Sequence, residues 1–225
     1  CVHCYTQENT KNKEMSFEQI DNLLNEIRSA GCLWLLISGG EPLLRQDFIK
    51  IYHKIKAYGF LPVIFTNATL ISEKIAKVFS EYRPLAIEVS LYALGEKQYK
   101  KITKVTGAFK KCMEGIGLLK KYKIPFRIKM PLMSLNKDEL GKVKNYAEKL
   151  SVPFRCDAVM HPCINGSSKP FSFSLSSEEI VKLSMRCQSL KENSVDNKSS
   201  GWLRKKHFFD NTCGAGSNFF SISPY

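Results

Sequence analysis

The sequence contains no long hydrophobic run and no low-complexity segment, and these absences exclude several classes of protein. Its longest apolar stretch, residues 33–37, is strand-sized, far below the roughly 18 residues that a membrane-spanning helix needs. Hydrophobic residues make up 44% and charged residues 24% of the 225 residues, which excludes a collagen-like or disordered chain. We therefore expect a globular protein of one domain, or of one domain and the start of a second, with no membrane partner.

Acidic residues are few relative to basic ones, 21 against 34, and the formal net charge is +13. Only seven of the basic residues are arginine, the side chain best suited to binding phosphate groups, and they are not clustered. The lysines are scattered, many of them on predicted polar helix faces. We interpret the charge as a solvated basic surface that would help to hold an acidic peptide, with nucleic acid as the less favoured partner.

The eight cysteines do not read as a disulfide framework. The chain opens without a secretory signal, and Cys32 and Cys112 lie beside a predicted strand and within a predicted helix. Reduced thiols and a cytoplasmic location are therefore expected. The chain begins at Cys1 rather than at Met, and Tyr225 lies in a segment that reads as unfinished, so we expect a longer parent protein that continues at both ends.

Five apolar segments alternate with amphipathic helical patterns along the chain. Strands are predicted at residues 33–37, 61–66, 85–91, 125–133 and 153–159. Helices are predicted at residues 16–31, 43–58, 72–82, 106–123, 136–150 and 176–190. This alternation indicates a parallel sheet or barrel, in which functional residues follow the carboxyl ends of the strands. A sixth strand upstream of Cys1 would complete the pattern.

Small polar residues follow the first three predicted strands, and a cysteine pair precedes them. The strand ends carry Ser38-Gly39-Gly40-Glu41-Pro42, then Thr66-Asn67-Ala68-Thr69, then Ser90. The segment Cys1-Val2-His3-Cys4 is a C-x-x-C, which from its residues alone is a redox pair, half of a zinc site or a pair of cluster ligands. A zinc site of Cys1, Cys4, His161 and Cys163 is the non-catalytic alternative.

Taken together, the cysteine loop, Gly39-Gly40-Glu41-Pro42, Thr66–Leu70 and Val89-Ser90-Leu91 resemble the motifs of radical S-adenosylmethionine (SAM) enzymes from Cys1 to about Gly166. The resemblance implies an α/β fold, a partial (β/α)6 barrel over residues 1–166, whose first strand lies upstream. In this family a C-x-x-x-C-x-x-C loop holds a [4Fe-4S] cluster that SAM chelates. By position, Cys1 and Cys4 resemble the second and third ligands, and the first would lie four residues before Cys1.

The same resemblance implies roles for the polar residues. His3 would lie near the adenine of SAM, and Gly39, Gly40 and Glu41 would receive its methionine amine. Asn67 and Ser90 would line the rim around the ribose and methionine. Ala68 replaces the glycine usual in the family, a mild change if its φ is negative.

The C-terminal segment resembles the opening of a SPASM extension, the domain that carries auxiliary iron–sulfur clusters. Cys213-Gly214-Ala215-Gly216 and Ser221–Tyr225 carry this likeness, and Cys213 would be the first auxiliary [4Fe-4S] ligand. The implied division is a barrel at residues 1–166, a helix and linker at 167–206 and the beginning of the SPASM domain at 207–225.

The implied activity is that of an oxidoreductase that reductively cleaves SAM and abstracts hydrogen from its substrate. Ser90-Leu91-Tyr92-Ala93 is similar to SPASM-type enzymes that make thioether or other crosslinks in ribosomally made peptides, so a peptide substrate is expected. The electron donor would be a flavodoxin or ferredoxin. The alternative is a radical SAM enzyme of small-molecule or cofactor biosynthesis. No catalytic acid or base is assigned.

Overall fold

The computed structural model describes residues 1–6, 14–184 and 221–222. Its described residues form a five-stranded sheet with the order β1-β2-β3-β4-β5, in which every neighbouring pair is parallel. The strands are β1 (Trp34–Ile37), β2 (Leu61–Thr66), β3 (Ala86–Ser90), β4 (Phe126–Pro131) and β5 (Phe154–Asp157). Because each strand lies next to its predecessor and parallel crossovers are right-handed, the connecting helices lie on one face. This is the arrangement expected of a partial barrel, and the predicted fold class is confirmed.

The helices that connect the strands are mostly those predicted. They are α1 (Phe17–Ser29), α2 (Phe48–Ala57), α3 (Glu73–Glu81), α4 (Glu96–Thr103), α5 (Ala108–Lys121), α6 (Leu140–Leu150) and α7 (Ser177–Ser184). Short 3-10 turns lie at Pro42–Leu44, Lys137–Glu139 and Lys169–Phe173. The capping box predicted at Ser16 is present, since its hydroxyl accepts from the Gln19 amide while the Gln19 side chain accepts from the Ser16 amide.

Two predictions about the helices were wrong. The helix expected at residues 43–58 begins only at Phe48, because Arg45 is extended after the 3-10 turn Pro42–Leu44 and separates the two. Helix α4 was not predicted. Its sequence is largely polar, and three residues, Tyr99, Ile102 and Thr103, are buried in it.

The two faces of the sheet differ in polarity. Ile64, Ile87, Val89 and Ile128 are fully buried and belong to the main core. In β4 the buried residues alternate with Arg127 and Lys129, which point to the opposite face. The sequences had suggested uniformly apolar strands, and the structure shows that the strands are not uniformly apolar.

Several expectations fall outside the described residues. Cys213 and almost all of the predicted SPASM segment lie there, so that domain remains a prediction, as does the strand upstream of Cys1. Of the predicted linker, the structure describes the turn Lys169–Phe173 and the helix Ser177–Ser184. Within the described ranges, no helix is both long enough and apolar enough to cross a membrane.

Candidate functional site

Glu41 connects the carboxyl ends of β1 and β2. Its Oε1 accepts hydrogen bonds from Thr66 Oγ1 at 2.8 Å and from the Leu43 amide at 3.2 Å, and its Oε2 accepts one from the Asn67 amide at 2.8 Å. Burial raises the pKa of Glu41, and these three hydrogen bonds oppose the rise. Because a carboxylate has about four acceptor positions, about one remains for a ligand. Glu41 is thus first a part of the scaffold that joins two strand ends.

The two glycines before Glu41 leave the backbone open. Gly39 has a φ of +145°, a conformation that residues with a side chain rarely adopt. Gly40 has no such constraint, and a Cβ built on it meets no atom within 4 Å. Both are exposed at the end of β1. The fold requires a glycine at Gly39 only, so the space beside Gly40 is available to a ligand.

The loop after β2 is held by its own side chains and by helix α5. Asn67 Oδ1 accepts from the Thr69 amide at 2.9 Å and from Thr69 Oγ1 at 2.6 Å. Ala68 has a φ of +61° and is fully buried. A Cβ on Gly115 of α5 would lie 2.2 Å from the Ala68 carbonyl oxygen. The condition under which alanine in place of the usual glycine would be a mild change, a negative φ, is therefore not met, and left-handed backbone costs roughly 1 kcal/mol with a side chain.

The end of β3 carries Ser90 and, two residues later, the buried Tyr92. The Ser90 side chain lies near the Tyr92 hydroxyl. Burial, followed by the nearby Cys112, Cys4 and Glu41 side chains, raises the pKa of Tyr92, so its hydroxyl stays protonated. Tyr92 thus lies between the cysteine loop and the Glu41 bend. Sequence reasoning assigned it no role, because only the fold brings it to both.

The opening loop lies against the same end of the sheet. Its turn is closed by the Cys4 amide, which donates to the Cys1 carbonyl at 3.2 Å, and the Val2 amide donates to Ile102 of α4 at 3.0 Å. The thiols of Cys1 and Cys4 are free and exposed. The Cys1 thiol donates to the Tyr92 hydroxyl over a Sγ–Oη distance of 3.9 Å. The Cys1 thiol therefore lies beside Tyr92, just beyond the end of β3.

His3 lies between the two cysteines and packs on Tyr92, with ring centroids 5.2 Å apart. Burial is the main cause that lowers the pKa of His3 to about 4. The imidazole is accordingly neutral near neutral pH. Its buried Nδ1 has no hydrogen-bond partner in the described part of the chain. A neutral, largely apolar ring fits the predicted place beside an adenine.

A group of charged side chains was not predicted from the sequence. It lies on the face of the sheet opposite the main core. Glu88 is fully buried, and its Oε2 lies 2.7 Å from Arg127 Nε. Lys129 Nζ lies 3.7 Å from Glu88 Oε1 and 3.9 Å from Asp157 Oδ2. In the strand register Lys129 is the neighbour of Ser90. The group therefore borders the rim on the β3–β5 side.

The opening loop supplies the candidate metal ligands. No group of three or more His, Cys, Asp or Glu side chains able to hold a metal ion occurs among the described residues. Cys1, Cys4, His161 and Cys163 therefore do not form the alternative zinc site, although Cys163 Sγ lies 3.7 Å from the Cys4 carbonyl oxygen. Cys1 and Cys4, two free thiols on one turn, fit two of three cysteine positions of a [4Fe-4S] cluster.

Comparison with known families agrees with this geometry. Residues 1–147 match the Radical SAM superfamily, and the chain belongs to this family. The AdoMet-dependent heme synthase of Methanosarcina barkeri is 28% identical over 152 residues, which are 67% of this chain and 44% of the relative. A probable GTP 3′,8-cyclase of Thermococcus kodakarensis is 30% identical over 152 residues, 66% of this chain and 49% of the relative. The chain thus spans about half the length of these curated relatives.

Solved structures share the fold at lower identity. SuiB of Streptococcus suis superposes with a TM-score of 0.68 at 15% identity, covering 86% of this chain and 42% of SuiB. The enzyme anSMEcpe with bound AdoMet and a Kp18Cys peptide gives a TM-score of 0.65 at 20% identity, covering 81% of this chain and 53% of that one. The family implies SAM and a [4Fe-4S] cluster as cofactors.

Proposed function

We propose that this chain is the SAM-binding part of a radical SAM oxidoreductase that abstracts hydrogen from a peptide substrate. The observation that carries the proposal is the position of Tyr92. Its hydroxyl lies 3.9 Å from the Cys1 thiol and near the Ser90 and Glu41 side chains. The cysteine loop, the Glu41 bend and the end of β3 would then border one site for SAM at the carboxyl end of the sheet, where ligands of parallel α/β folds bind.

Within that space each residue has a distinct role. Cys1 and Cys4 would hold iron, and the open backbone at Gly39 and Gly40 would admit the methionine end of SAM. Glu41 keeps this backbone in place and offers its remaining acceptor position to the amine. When bound, the cluster and SAM supply the electron and the radical chemistry, and the protein supplies binding and orientation.

Asn67, Ser90 and His3 complete the rim. Asn67 Oδ1 is occupied by Thr69, so its carboxamide is fixed in one orientation. The neutral His3 ring packs on Tyr92, whose hydroxyl lies near the Ser90 side chain. These three groups are suited to a nucleoside, which needs hydrogen bonds for its ribose and an apolar surface for its base.

A peptide substrate is supported by two observations. SuiB has been solved bound to the precursor peptide SuiA, and its fold matches this chain with a TM-score of 0.61. The net charge of +13 also suits an acidic peptide. A small-molecule substrate is the second candidate, because the sequence relatives include a heme synthase and a cyclase. A SPASM domain with auxiliary clusters, and a flavodoxin or ferredoxin as reductant, belong to the peptide proposal.

The test is anaerobic reconstitution of the full-length protein with iron and sulfide. We expect bound iron, and cleavage of SAM to 5′-deoxyadenosine after reduction. Substrate candidates are then compared by mass spectrometry: a short cysteine-containing peptide encoded beside the gene, and the same peptide with its cysteines replaced by serine. A protein that binds no iron, or that holds iron but leaves SAM intact, contradicts the proposal. Modification of neither peptide favours the small-molecule alternative.

A further inference from the structure

We propose that the Tyr92 hydroxyl donates a hydrogen bond to the Cys1 thiolate when iron is bound and thereby raises the reduction potential of the cluster. The inference rests on the proposed function, because it concerns the cluster that Cys1 and Cys4 would hold. It assigns to Tyr92 a positioning role in electron transfer to the site. SAM and the substrate do not take part in this interaction.

The contact is present before any metal is bound. Cys1 Sγ and Tyr92 Oη lie 3.9 Å apart, although 91 positions separate the two residues in the sequence. Here the thiol is the donor. A ligating cysteine is a thiolate and has no proton to donate. The phenol hydroxyl, which can both donate and accept, then becomes the donor in the same pair.

The phenol has its proton available for Cys1. In the described part of the chain the Tyr92 hydroxyl accepts from the Cys1 thiol and donates to no other group. A phenol hydroxyl can donate as well as accept, so its single proton is free to point at sulfur once the thiol has lost its own.

Tyr92 is also rigidly held, as a potential-setting donor must be. It is 6% exposed, and its ring is packed between His3 and Tyr99, with centroid distances of 5.2 and 5.4 Å. Its carbonyl oxygen accepts from Nδ2 of the buried Asn136 at 3.1 Å. The hydroxyl therefore stays in place when the cluster gains an electron, and no reorganisation is needed.

The direction of the effect follows from charge. Reduction adds one negative charge to a cluster whose ligands are already thiolates. A hydrogen bond to a ligand sulfur stabilises the more negative, reduced form and so raises the potential, a lever that proteins use widely. No bond is made or broken, and the electron comes from the reductant of the proposed function.

The experiment is an anaerobic redox titration of the reconstituted full-length protein without SAM, monitored by electron paramagnetic resonance. Tyr92→Phe is compared with Tyr99→Phe, which removes a hydroxyl from the next ring of the same stack. The Tyr99 hydroxyl faces Cys112 rather than the loop. We expect Tyr92→Phe to lower the midpoint potential and Tyr99→Phe to leave it unchanged. Equal potentials in Tyr92→Phe and wild type, or equal shifts in both variants, overturn the inference and leave the proposed function standing.

A measurement on the wild-type protein covers the case in which Tyr92→Phe does not fold. Electron–nuclear double resonance of the reduced cluster should show a coupled proton that exchanges in D₂O and persists in Tyr99→Phe. If no such proton is found, the hydrogen bond does not exist. A wild-type protein that binds no iron contradicts the proposed function and the inference together.

Discussion

The Glu41 bend and the opening loop, two halves of one rim, are stabilised in different ways. The bend contains a buried carboxylate that accepts three hydrogen bonds from two strand ends. The loop is attached by backbone bonds, from Val2 to Ile102 and from Ile164 to Tyr5, and its two cysteines are exposed. The bend is thus complete without a ligand, whereas the functional groups of the loop face solvent. Changes in the bend should therefore affect folding and SAM binding, and changes in the loop cysteines should affect iron content, and SAM binding only through the lost cluster.

Replacing a loop cysteine should have the largest effect on cofactor content and almost none on the fold. Cys4 Sγ contacts only Thr6 in the described structure, donating to its carbonyl oxygen at 3.2 Å and lying 3.0 Å from its Oγ1. We expect Cys4→Ser to abolish iron binding and to change the free energy of unfolding by no more than about 0.5 kcal/mol. Iron analysis and denaturant unfolding measure the two quantities. Cys32→Ser, in a free cysteine outside the loop, is the control and should retain iron.

Removing the carboxylate of the bend should give the opposite pattern. Glu41→Ala leaves three hydrogen-bond donors, those of Leu43, Thr66 and Asn67, without their acceptor. We therefore expect a loss of about 3 kcal/mol in the free energy of unfolding. SAM binding should weaken while iron is retained. Glu114→Ala, at an exposed position of α5, is the matched control with a loss of at most about 0.5 kcal/mol. Equal stabilities of the two variants would show that Glu41 does not hold the bend.

The rim should also be sensitive to a residue behind it. A Cβ at Gly115 meets the Ala68 carbonyl oxygen at 2.2 Å, so the loop after β2 must move in Gly115→Ala. We expect this variant to lose about 1–3 kcal/mol of stability. Gly117→Ala lies in the same helix with no atom within 4 Å of the new Cβ, and it should gain up to about 1 kcal/mol. Thermal unfolding of both variants measures this difference, and a change of the same sign in both would contradict the close contact.

A smaller effect should appear in the pH dependence of stability. Burial raises the pKa of Glu41 above its ordinary value of 4.5. The protonated form of Glu41 therefore stabilises the folded state relative to the ionised form. This stabilisation is complete below pH 4.5 and is lost as the pH rises through the raised pKa of Glu41 in the folded state. Relative to Glu41→Gln, the free energy of unfolding of the wild type should fall as the pH rises above 4.5 and through the raised pKa. A difference that is constant or rises over this range would mean that burial does not dominate.

Much of the fold could be predicted from local sequence. The β-branched runs marked all five strands within two residues at each end, and Ser16, Ser72 and Ser176 cap the predicted helices. Helix α4 escaped prediction because its sequence is polar and its stability comes from tertiary burial. The charged side chains on the sheet face opposite the main core were not predicted, because the strands were interpreted as continuous apolar runs rather than as alternating ones.

The residues of the candidate site could be predicted from the sequence, but the contacts between them could not. Gly39, Gly40, Glu41, Asn67 and Ser90 do lie at the ends of three adjacent strands, as their spacing indicated. The hydrogen bonds that Glu41 accepts from Thr66 and Asn67 depend on the pairing of β1 with β2. That Tyr92 touches the opening loop depends on the whole barrel. Neither contact leaves a local pattern in the sequence.

Gly40→Val tests most directly whether the loop and the bend bind one ligand. A Cβ at this position meets no protein atom within 4 Å, so we expect the variant to keep its stability and iron content while its side chain occupies the space proposed for SAM. The measurement is the change in the electron paramagnetic resonance spectrum of the reduced cluster when SAM is added. We predict this change in the wild type and its loss, or at least a tenfold weaker SAM affinity, in Gly40→Val. An identical SAM titration of both proteins, with equal iron content, would contradict the account.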